Sequence, residues 1–238
     1  MENKIEQFIN LLNSSDNIVF FGGAGVSTES GIPDFRSQDG LYNQTYEYPP
    51  EQILSHTFFM KHTDEFYKFY KDKMNALKYE PNITHQKLVD LEKAGKLKAI
   101  ITQNIDGLHQ KAGSKTVYEL HGSIHRNYCM KCNKFYDANY IFESNNIPTC
   151  SCGGIVKPDV VLYEEGLDDY TWKSSINTIS EADMLIVAGT SLTVHPASSL
   201  IHYYLGKKLV LINKDSTQYD SYANLVINDS LGNVFSKL

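Results

Sequence analysis

Several features that define other protein classes are missing from this sequence. No apolar run approaches the roughly 18 residues that a membrane-spanning helix needs. Met1–Asn10 is polar with no long apolar core behind it, so we expect neither a signal peptide nor a membrane partner. The net charge of −6 argues against a non-specific nucleic-acid binder. We expect a cytoplasmic protein with a polypeptide or small-molecule partner.

A protein nucleophile is also missing. The sequence contains no G-x-S-x-G elbow, and all four cysteines fall between Cys129 and Cys152. Covalent catalysis by serine or cysteine is therefore not expected, and a bound cofactor becomes the candidate electrophile. Internal repeats and low-complexity linkers are absent as well, so we expect one unit with a smaller module inserted into it.

A glycine-rich stretch near the N-terminus, Phe20–Ser37, predicts a nucleotide site. Gly23 and Gly25 follow a short apolar run and supply the first two glycines of G-x-G-x-x-G, but Thr28 stands in the third position. Glycines there let the backbone approach a pyrophosphate closely. No strand ending in an acidic residue follows about twenty residues on, where a dehydrogenase holds its ribose. The stretch thus favours a dinucleotide and argues against hydride transfer.

Polar residues in this stretch have two interpretations each. Asp34 and Arg36 form either a local ion pair or ligand contacts, since arginine clamps phosphate well. Ser27 and Thr28 either cap a helix or bind phosphate at a helix N-terminus, and the two roles are compatible.

Short apolar runs alternating with helical patterns predict an α/β fold with a mostly parallel sheet. The predicted strands are Ile18–Phe21, Lys98–Ile105, Val117–Leu120, Val160–Tyr163, Met184–Val187, Leu209–Ile212 and Leu225–Ile227, and the predicted helices are Glu2–Ser14, Glu51–Lys78, Thr84–Ala94 and Ala197–Leu205. The aromatic series in the second helix, Phe58, Phe59, Phe66, Tyr67, Phe69 and Tyr70, favours helix packing over a cleft lining.

Polar residues at strand ends predict one shared cleft, because ligands bind at the carboxyl ends of parallel strands. His121 is the strongest candidate, since an imidazole can accept a proton near neutral pH, although a structural histidine is the common alternative. Asn104 and Asp106 at a neighbouring strand end support the catalytic interpretation. Ser191 and Asn213 are either ribose or phosphate contacts or simple turn residues.

The cysteines form two close pairs, Cys129-x-x-Cys132 and Cys150-x-Cys152. In a reducing compartment, such clustering predicts a structural zinc held by four thiolates. A disulfide or redox pair is the alternative, and the shortened C-x-C is a departure from the usual second knuckle.

Together these motifs resemble the sirtuins, a family of NAD-dependent protein-lysine deacylases. The resemblance covers nearly the whole chain and rests on GAGVS (23–27), GIPDFRS (31–37), QNID (103–106), HG (121–122), the cysteine quartet, GTS (189–191) and NKD (213–215). It implies a single catalytic domain, with a Rossmann-like part at 1–40, 82–124 and 157–238, helices on both faces of its sheet, and a small module made of a helical segment 41–81 and a zinc-binding segment 125–156.

The resemblance also implies roles for individual residues. His121 would be the general base and Asn104 would order the ribose, while Ile105 and Asp106 would hold the nicotinamide carboxamide. Further NAD contacts would be Gly23, Ala24, Gly25, Thr28, Asp34, Phe35, Arg36, Gln103, Gly189, Thr190, Ser191, Asn213, Lys214, Asp215 and Ser230. The acyl-lysine peptide would lie beside Val161, Leu162, Tyr163 and Glu164. One structural zinc, no nucleic-acid partner and a monomer are expected.

Two positions depart from the family pattern. The peptide-binding strand often reads V-x-F-G-E in sirtuins, whereas 161–165 reads VLYEE, with Glu164 in place of the glycine. Members that prefer succinyl or malonyl groups carry a Tyr-x-x-Arg pair, and here Tyr67 is followed by Tyr70 instead. We therefore expect acetyl or another uncharged acyl group. ADP-ribosyl transfer, NAD hydrolysis and non-catalytic NAD or ADP-ribose sensing remain the alternatives.

Overall fold

The computed structural model of the chain, which describes residues 2–34, Gly40 and 47–238, has a six-stranded parallel sheet at its centre. Its strands are β1 (Ile18–Gly22), β2 (Leu97–Thr102), β3 (Val117–Glu119), β7 (Met184–Ala188), β8 (Leu209–Asn213) and β9 (Leu225–Asn228). The order across the sheet is β3-β2-β1-β7-β8-β9, and every neighbouring pair is parallel. The predicted Rossmann-like sheet is confirmed.

Helices cover both faces of this sheet, as predicted. The α-helices are α1 (Glu2–Asn13), α2 (Pro50–Ile53), α3 (His56–Lys61), α4 (Thr63–Lys73), α5 (Ile83–Lys93), α6 (Leu108–Ala112), α7 (Ala138–Phe142), α8 (Asp169–Glu181) and α9 (Leu231–Phe235). Phe8 of α1, Leu88 of α5 and Phe235 of α9 are fully buried in the core on one face. On the other face, Ile179 of α8 packs with Leu200 from a 3-10 helix at Ala197–Tyr203.

A second, three-stranded antiparallel sheet consists of β4 (Gly122–Cys129), β5 (Phe135–Tyr136) and β6 (Val156–Val160), in the order β5-β4-β6. The aromatic series of α3 and α4 is buried against this sheet in a separate core. Helix packing was therefore the right interpretation of those side chains.

Two elements differ from the sequence prediction. The predicted strand Val160–Tyr163 is wrong, because the strand is Val156–Val160 and it belongs to the small antiparallel sheet. The predicted helix Glu51–Lys78 is also wrong as one element. Ser55 is extended and its hydroxyl accepts a hydrogen bond from Phe58 N, so it ends the preceding turn and caps α3.

The division of the chain into a Rossmann-like part and a small module stays a prediction. The predicted boundaries of the small module, at 125 and 156, fall inside β4 and β6. The two strands come close together at Gly122, where φ is +75° and an added Cβ would be 1.9 Å from the carbonyl oxygen of Asp159. Among the described residues, no helix is long and apolar enough to cross a membrane.

Candidate active site

The glycine loop closes directly against the turn that follows β7. Gly25 N donates to Gly189 O at 2.8 Å, and a Cβ added at Gly25 would lie 2.7 Å from Gly189 Cα. A Cβ at Gly23 would likewise meet Thr190 Cβ at 2.7 Å. Only glycine fits at these positions, and the bare backbone between the ends of β1 and β7 is suited to close approach by a pyrophosphate.

Three strand ends are tied together beside this loop. Gln103 Nε2 donates to Thr190 Oγ1 at 3.0 Å, and Thr190 N donates to Asn213 Oδ1 at 2.9 Å. Asn213 Nδ2 is buried and has no hydrogen-bond partner among the described residues. A buried amide donor without an acceptor is unfavourable unless a ligand or water satisfies it. The ends of β2, β7 and β8 therefore fit a ligand rich in hydroxyl and phosphate oxygens, as NAD is.

Ser27 joins the glycine loop to the segment after β2. Its Oγ donates to Asp106 Oδ2 at 2.6 Å and accepts from Asn104 Nδ2 at 3.1 Å. Asp106 Oδ1 accepts from Leu108 N at 2.9 Å. Burial raises the pKa of the Asp106 carboxyl, and the hydrogen bonds from Ser27 and Leu108 oppose that rise. The predicted cap role of Ser27 is wrong, since its hydroxyl caps no helix and is used for this contact.

His121 lies just before β4. Its Nδ1 is 3.0 Å from the carbonyl oxygen of Gln103, so Nδ1 must carry the hydrogen of the neutral ring. Nε2 is then the nitrogen with a free lone pair. Burial lowers the pKa of His121, while the bond to Gln103 opposes the shift. The imidazole is therefore neutral at pH 7 and able to accept a proton at Nε2.

The main chain of His121 leads to the predicted peptide segment. Its carbonyl oxygen accepts from Val161 N at 3.0 Å. Leu162 is buried, whereas Tyr163 and Glu164 are exposed. Tyr163 pairs in a parallel bridge with Ser55, through Tyr163 N to Leu54 O at 2.9 Å and His56 N to Tyr163 O at 3.0 Å.

Four further predicted NAD contacts follow β1 or β2 in the chain. Ala24, Thr28, Asp34 and Ile105 are half-buried. Thr28 Oγ1 donates to Gly25 O at 3.0 Å, within the glycine loop. Phe35 and Arg36 lie outside the described residues, so the ion pair of Asp34 with Arg36 stays a prediction.

Four predicted contacts follow the later strands. Ser191 is exposed and bonded to Thr193 at 2.8 Å, and Lys214 and Asp215 are exposed immediately after β8. Ser230 caps α9, where its Oγ accepts from Asn233 N at 3.3 Å. These four are placed at the edge of the site, and their contacts with NAD stay a prediction.

Sequence reasoning missed two supporting residues. Thr102 Oγ1 accepts from Asn104 N at 3.0 Å. His125 Nε2 lies 3.1 Å from the carbonyl oxygen of Asp106, and its ring packs on Gly107, where a Cβ would be 2.5 Å from Nε2. His125 lies in the middle of a strand and belongs to no local sequence motif. Only its contact with Asp106 in the folded structure identifies it as a supporting residue.

The four cysteines come together as predicted. Their sulfur atoms all lie within 4.8 Å of one another, with Sγ–Sγ distances of 3.4 Å for Cys129–Cys152 and Cys132–Cys152 and 3.6 Å for Cys132–Cys150. Thiolates arranged tetrahedrally around zinc are separated by about 3.8 Å when each Zn–S bond is about 2.3 Å. None of the four is in a disulfide in the described part of the chain. The quartet is positioned to hold one structural zinc.

Comparison with known proteins agrees with this geometry. A model of the Sir2 family matches residues 23–196, well over half of the chain. The chain belongs to the Sir2 family. A Clostridium acetobutylicum relative called an NAD-dependent protein deacetylase is 61% identical over 235 residues, covering 97% of this chain and 96% of its own. A Clostridium perfringens protein with the same description is 59% identical over 242 residues and covers 100% and 99%.

Solved Sir2 structures share the fold of this member. A Sir2 complex with a p53 peptide and NAD⁺ has a TM-score of 0.88 at 38% identity, covering 98% of this chain and 96% of that one. A Sir2 complex with 2′-O-acetyl-ADP-ribose and a deacetylated p53 peptide has a TM-score of 0.87 at 36% identity, with the same coverage.

Proposed function

We propose that this protein is an NAD-dependent protein-lysine deacetylase that removes acetyl or other uncharged acyl groups. The observation that carries the proposal is the setting of His121, whose Nδ1 is committed to Gln103 O so that Nε2 is free to act as a base. Asn104 and Asp106 follow the neighbouring strand β2, and the peptide segment begins at Val161, one hydrogen bond from His121. Deacetylase relatives of this family support the same reaction.

NAD supplies, when bound, an electrophilic ribose carbon and the acceptor for the acyl group, which accounts for the products nicotinamide, O-acyl-ADP-ribose and free lysine. The bare backbone at Gly23 and Gly25 would accept the pyrophosphate. The orphaned Asn213 amide, with Gln103 and Thr190 beside it, would bind ribose or phosphate oxygens.

Asn104 and Asp106 are held by Ser27, which fixes both side chains before any ligand arrives. The Asp106 carboxylate would accept the carboxamide N–H of nicotinamide. Neutral His121 would take up a ribose hydroxyl proton at Nε2.

The acyl-group preference follows from the residue at position 70. Tyr70 is fully buried and stacks between Phe66 and Phe142, so it belongs to the core beside the antiparallel sheet. The neutral side chain there offers no partner for an acyl carboxylate. We therefore expect activity on acetyl-lysine to exceed that on succinyl-lysine.

A cytoplasmic location is part of the proposal. Four cysteines without a disulfide suit a reducing compartment, where thiolates remain available for zinc.

The test is to incubate the protein with NAD and an acetyl-lysine peptide and to analyse the products by mass spectrometry. We expect deacetylated peptide, nicotinamide and O-acetyl-ADP-ribose in equal amounts. Nicotinamide release that does not depend on the peptide would instead support NAD hydrolysis. A peptide or protein that gains the mass of ADP-ribose would support ADP-ribosyl transfer, and the absence of any product would favour a sensor.

A further inference from the structure

The segment after β6 contains one residue with an unusual backbone. Glu164 has φ +76°, in the left-handed region that favours glycine. A side chain at such a position persists only when surrounding contacts hold it. Its neighbour Tyr163 has both main-chain groups bonded, to Leu54 and His56, and Leu162 N donates to Glu165 Oε2 at 2.9 Å. The backbone on either side of Glu164 is thus already fixed.

The contact that holds Glu164 comes from its own carboxylate. Glu164 Oε2 accepts from Thr57 N at 2.8 Å. Thr57 is in the first turn of α3, where main-chain N–H groups lack partners within the helix. Hydrogen bonds from the side chain and main chain of Thr57 lower the pKa of Glu164, so the carboxylate is ionised at neutral pH. A negative charge there also complements the helix dipole.

The next residue repeats the connection. Glu165 Oε1 lies 2.8 Å from His56 Nδ1, and Glu165 Oε2 lies 3.1 Å from Lys157 Nζ. Consecutive glutamates therefore connect the segment to the start of α3 and to β6. In contrast, the main-chain N–H and C=O of Glu164 have no hydrogen bond to any described residue. They remain available to an extended peptide.

We propose that the Glu164 carboxylate is a peptide-positioning group, which holds the exposed main chain of residue 164 in the conformation that binds acyl-lysine peptides. This inference rests on the proposed function. A glycine at this position would adopt the same φ without strain but would lack the anchor to α3, so the Glu164 side chain makes the main chain more rigid than a glycine would. Loss of the anchor weakens peptide binding and leaves NAD binding and the chemical step unchanged.

Three substitutions separate the anchor from the backbone strain. In Glu164→Gln the amide oxygen still accepts from Thr57 N. Glu164→Gly removes the anchor but is unstrained at φ +76°, whereas Glu164→Ala removes the anchor and keeps the strain. Glu6→Gln is the control, since Glu6 is exposed on α1.

The readouts are the KM for acetyl-lysine peptide, the KM for NAD, kcat, and the Kd of a fluorescent acetyl-lysine peptide. We expect the peptide KM and Kd to rise about five- to tenfold in Glu164→Gly, the size expected for one charge-assisted hydrogen bond, and further in Glu164→Ala. Glu164→Gln keeps the acceptor but loses the charge, so we expect its peptide KM and Kd to lie between those of wild type and Glu164→Gly. Glu6→Gln should stay within about twofold of wild type. The KM for NAD and kcat should not change.

A Glu164→Gly enzyme with the wild-type peptide KM and Kd would overturn the inference, and so would a Gln variant as weak as the Gly variant. In either case, deacetylation of the peptide by the wild-type protein would show that the proposed function still holds. If the wild-type protein neither deacetylates nor binds the peptide, the proposed function and this inference fail together. A melting temperature lowered by any substitution with peptide binding intact would show a structural role only.

Discussion

Ser27 Oγ and Asp106 Oδ2 are 2.6 Å apart, although the residues are separated by 79 positions in the chain. This hydrogen bond joins the glycine loop to the residue that we expect to hold the nicotinamide carboxamide. It also opposes the effect of burial on the pKa of Asp106. This hydrogen bond therefore holds the glycine loop and the Asp106 carboxylate in position relative to each other.

Removing the Ser27 hydroxyl should impair NAD use. In Ser27→Ala the pKa of Asp106 rises further, because burial is no longer opposed by this bond. We expect the KM for NAD to rise about tenfold at pH 7 and more steeply at acid pH, where Asp106 becomes protonated. Steady-state kinetics between pH 5.5 and about 8 measure this. Ser180→Ala, at an exposed hydroxyl on α8, is the control, and equal pH profiles for both variants would contradict the prediction.

Substitution of His121 should abolish turnover but not NAD binding. We expect His121→Ala to lower kcat by about 10²- to 10⁴-fold, the usual contribution of a general base. The Kd for NAD, measured by calorimetry, should change little. Because burial lowers the pKa of His121, wild-type activity should persist below the pH at which an ordinary histidine is half protonated. If the His121→Ala variant formed product as fast as wild type, the general base would have to be another residue.

Two buried histidines should make the protein less stable in acid. The rings of His85 and His109 are 4.8 Å apart, and His85 Nε2 and both His109 nitrogens have no partner among the described residues. Burial lowers the pKa of His85 to about 4 and that of His109 well below its usual range. Folded protein thus binds fewer protons than unfolded protein, so stability is complete above about pH 6.5 and falls as pH decreases towards about 4.

Each histidine contributes at most about 1.4 kcal/mol per pH unit over this window. Urea unfolding at several pH values measures the slope. His109→Leu removes both orphaned nitrogens, so we expect a flatter pH dependence and higher stability at pH 5. His202→Gln, at an exposed histidine, should retain the wild-type slope. An unchanged slope in the Leu variant would contradict the assignment.

Tyr67 and Tyr70 form a matched pair of buried hydroxyls. Tyr67 Oη donates to Val156 O, whereas Tyr70 Oη has no partner among the described residues. Tyr67→Phe should therefore destabilise the protein by about 1 kcal/mol, because it removes a hydrogen bond. Tyr70→Phe should be neutral or stabilising, because it removes an unsatisfied polar group. Chemical denaturation gives both values, and the reverse order would refute this account.

Zinc removal should unfold the small antiparallel sheet. Because four thiolates leave no open position for water, the metal contributes to folding and not to the reaction. We expect one zinc per chain in a colorimetric release assay, and a lower melting temperature after chelation. Cys132→Ser should show the same loss of stability. A chelated protein with unchanged melting temperature and reduced kcat would point to a catalytic metal instead.

The position of the site at the strand ends was predictable, because a parallel sheet places the carboxyl ends of successive strands at one edge. Asn104, Asp106 and Asn213 were predicted in this way, whereas Gln103 and Thr190 followed from the family resemblance. The structure connects Gln103, Thr190 and Asn213. The contact of His125 with Asp106 was not predictable, since it depends on how two sheets meet. The strand predicted at Val160–Tyr163 was wrong because those residues form a short apolar run, whereas β6 alternates apolar with polar residues and contains Pro158, a residue that disfavours a strand.

The absence of a side chain at Gly122 has a consequence for motion. His121 immediately precedes this residue, whose φ is +75° and where an added Cβ would lie 1.9 Å from the carbonyl oxygen of Asp159. The carbonyl of His121 is in turn bonded to Val161 N. The proposed base and the start of the predicted peptide segment are therefore joined by one main-chain hydrogen bond. We expect any opening of the cleft to move both together, so that the distance between the proposed base and the peptide segment is already set before a ligand binds.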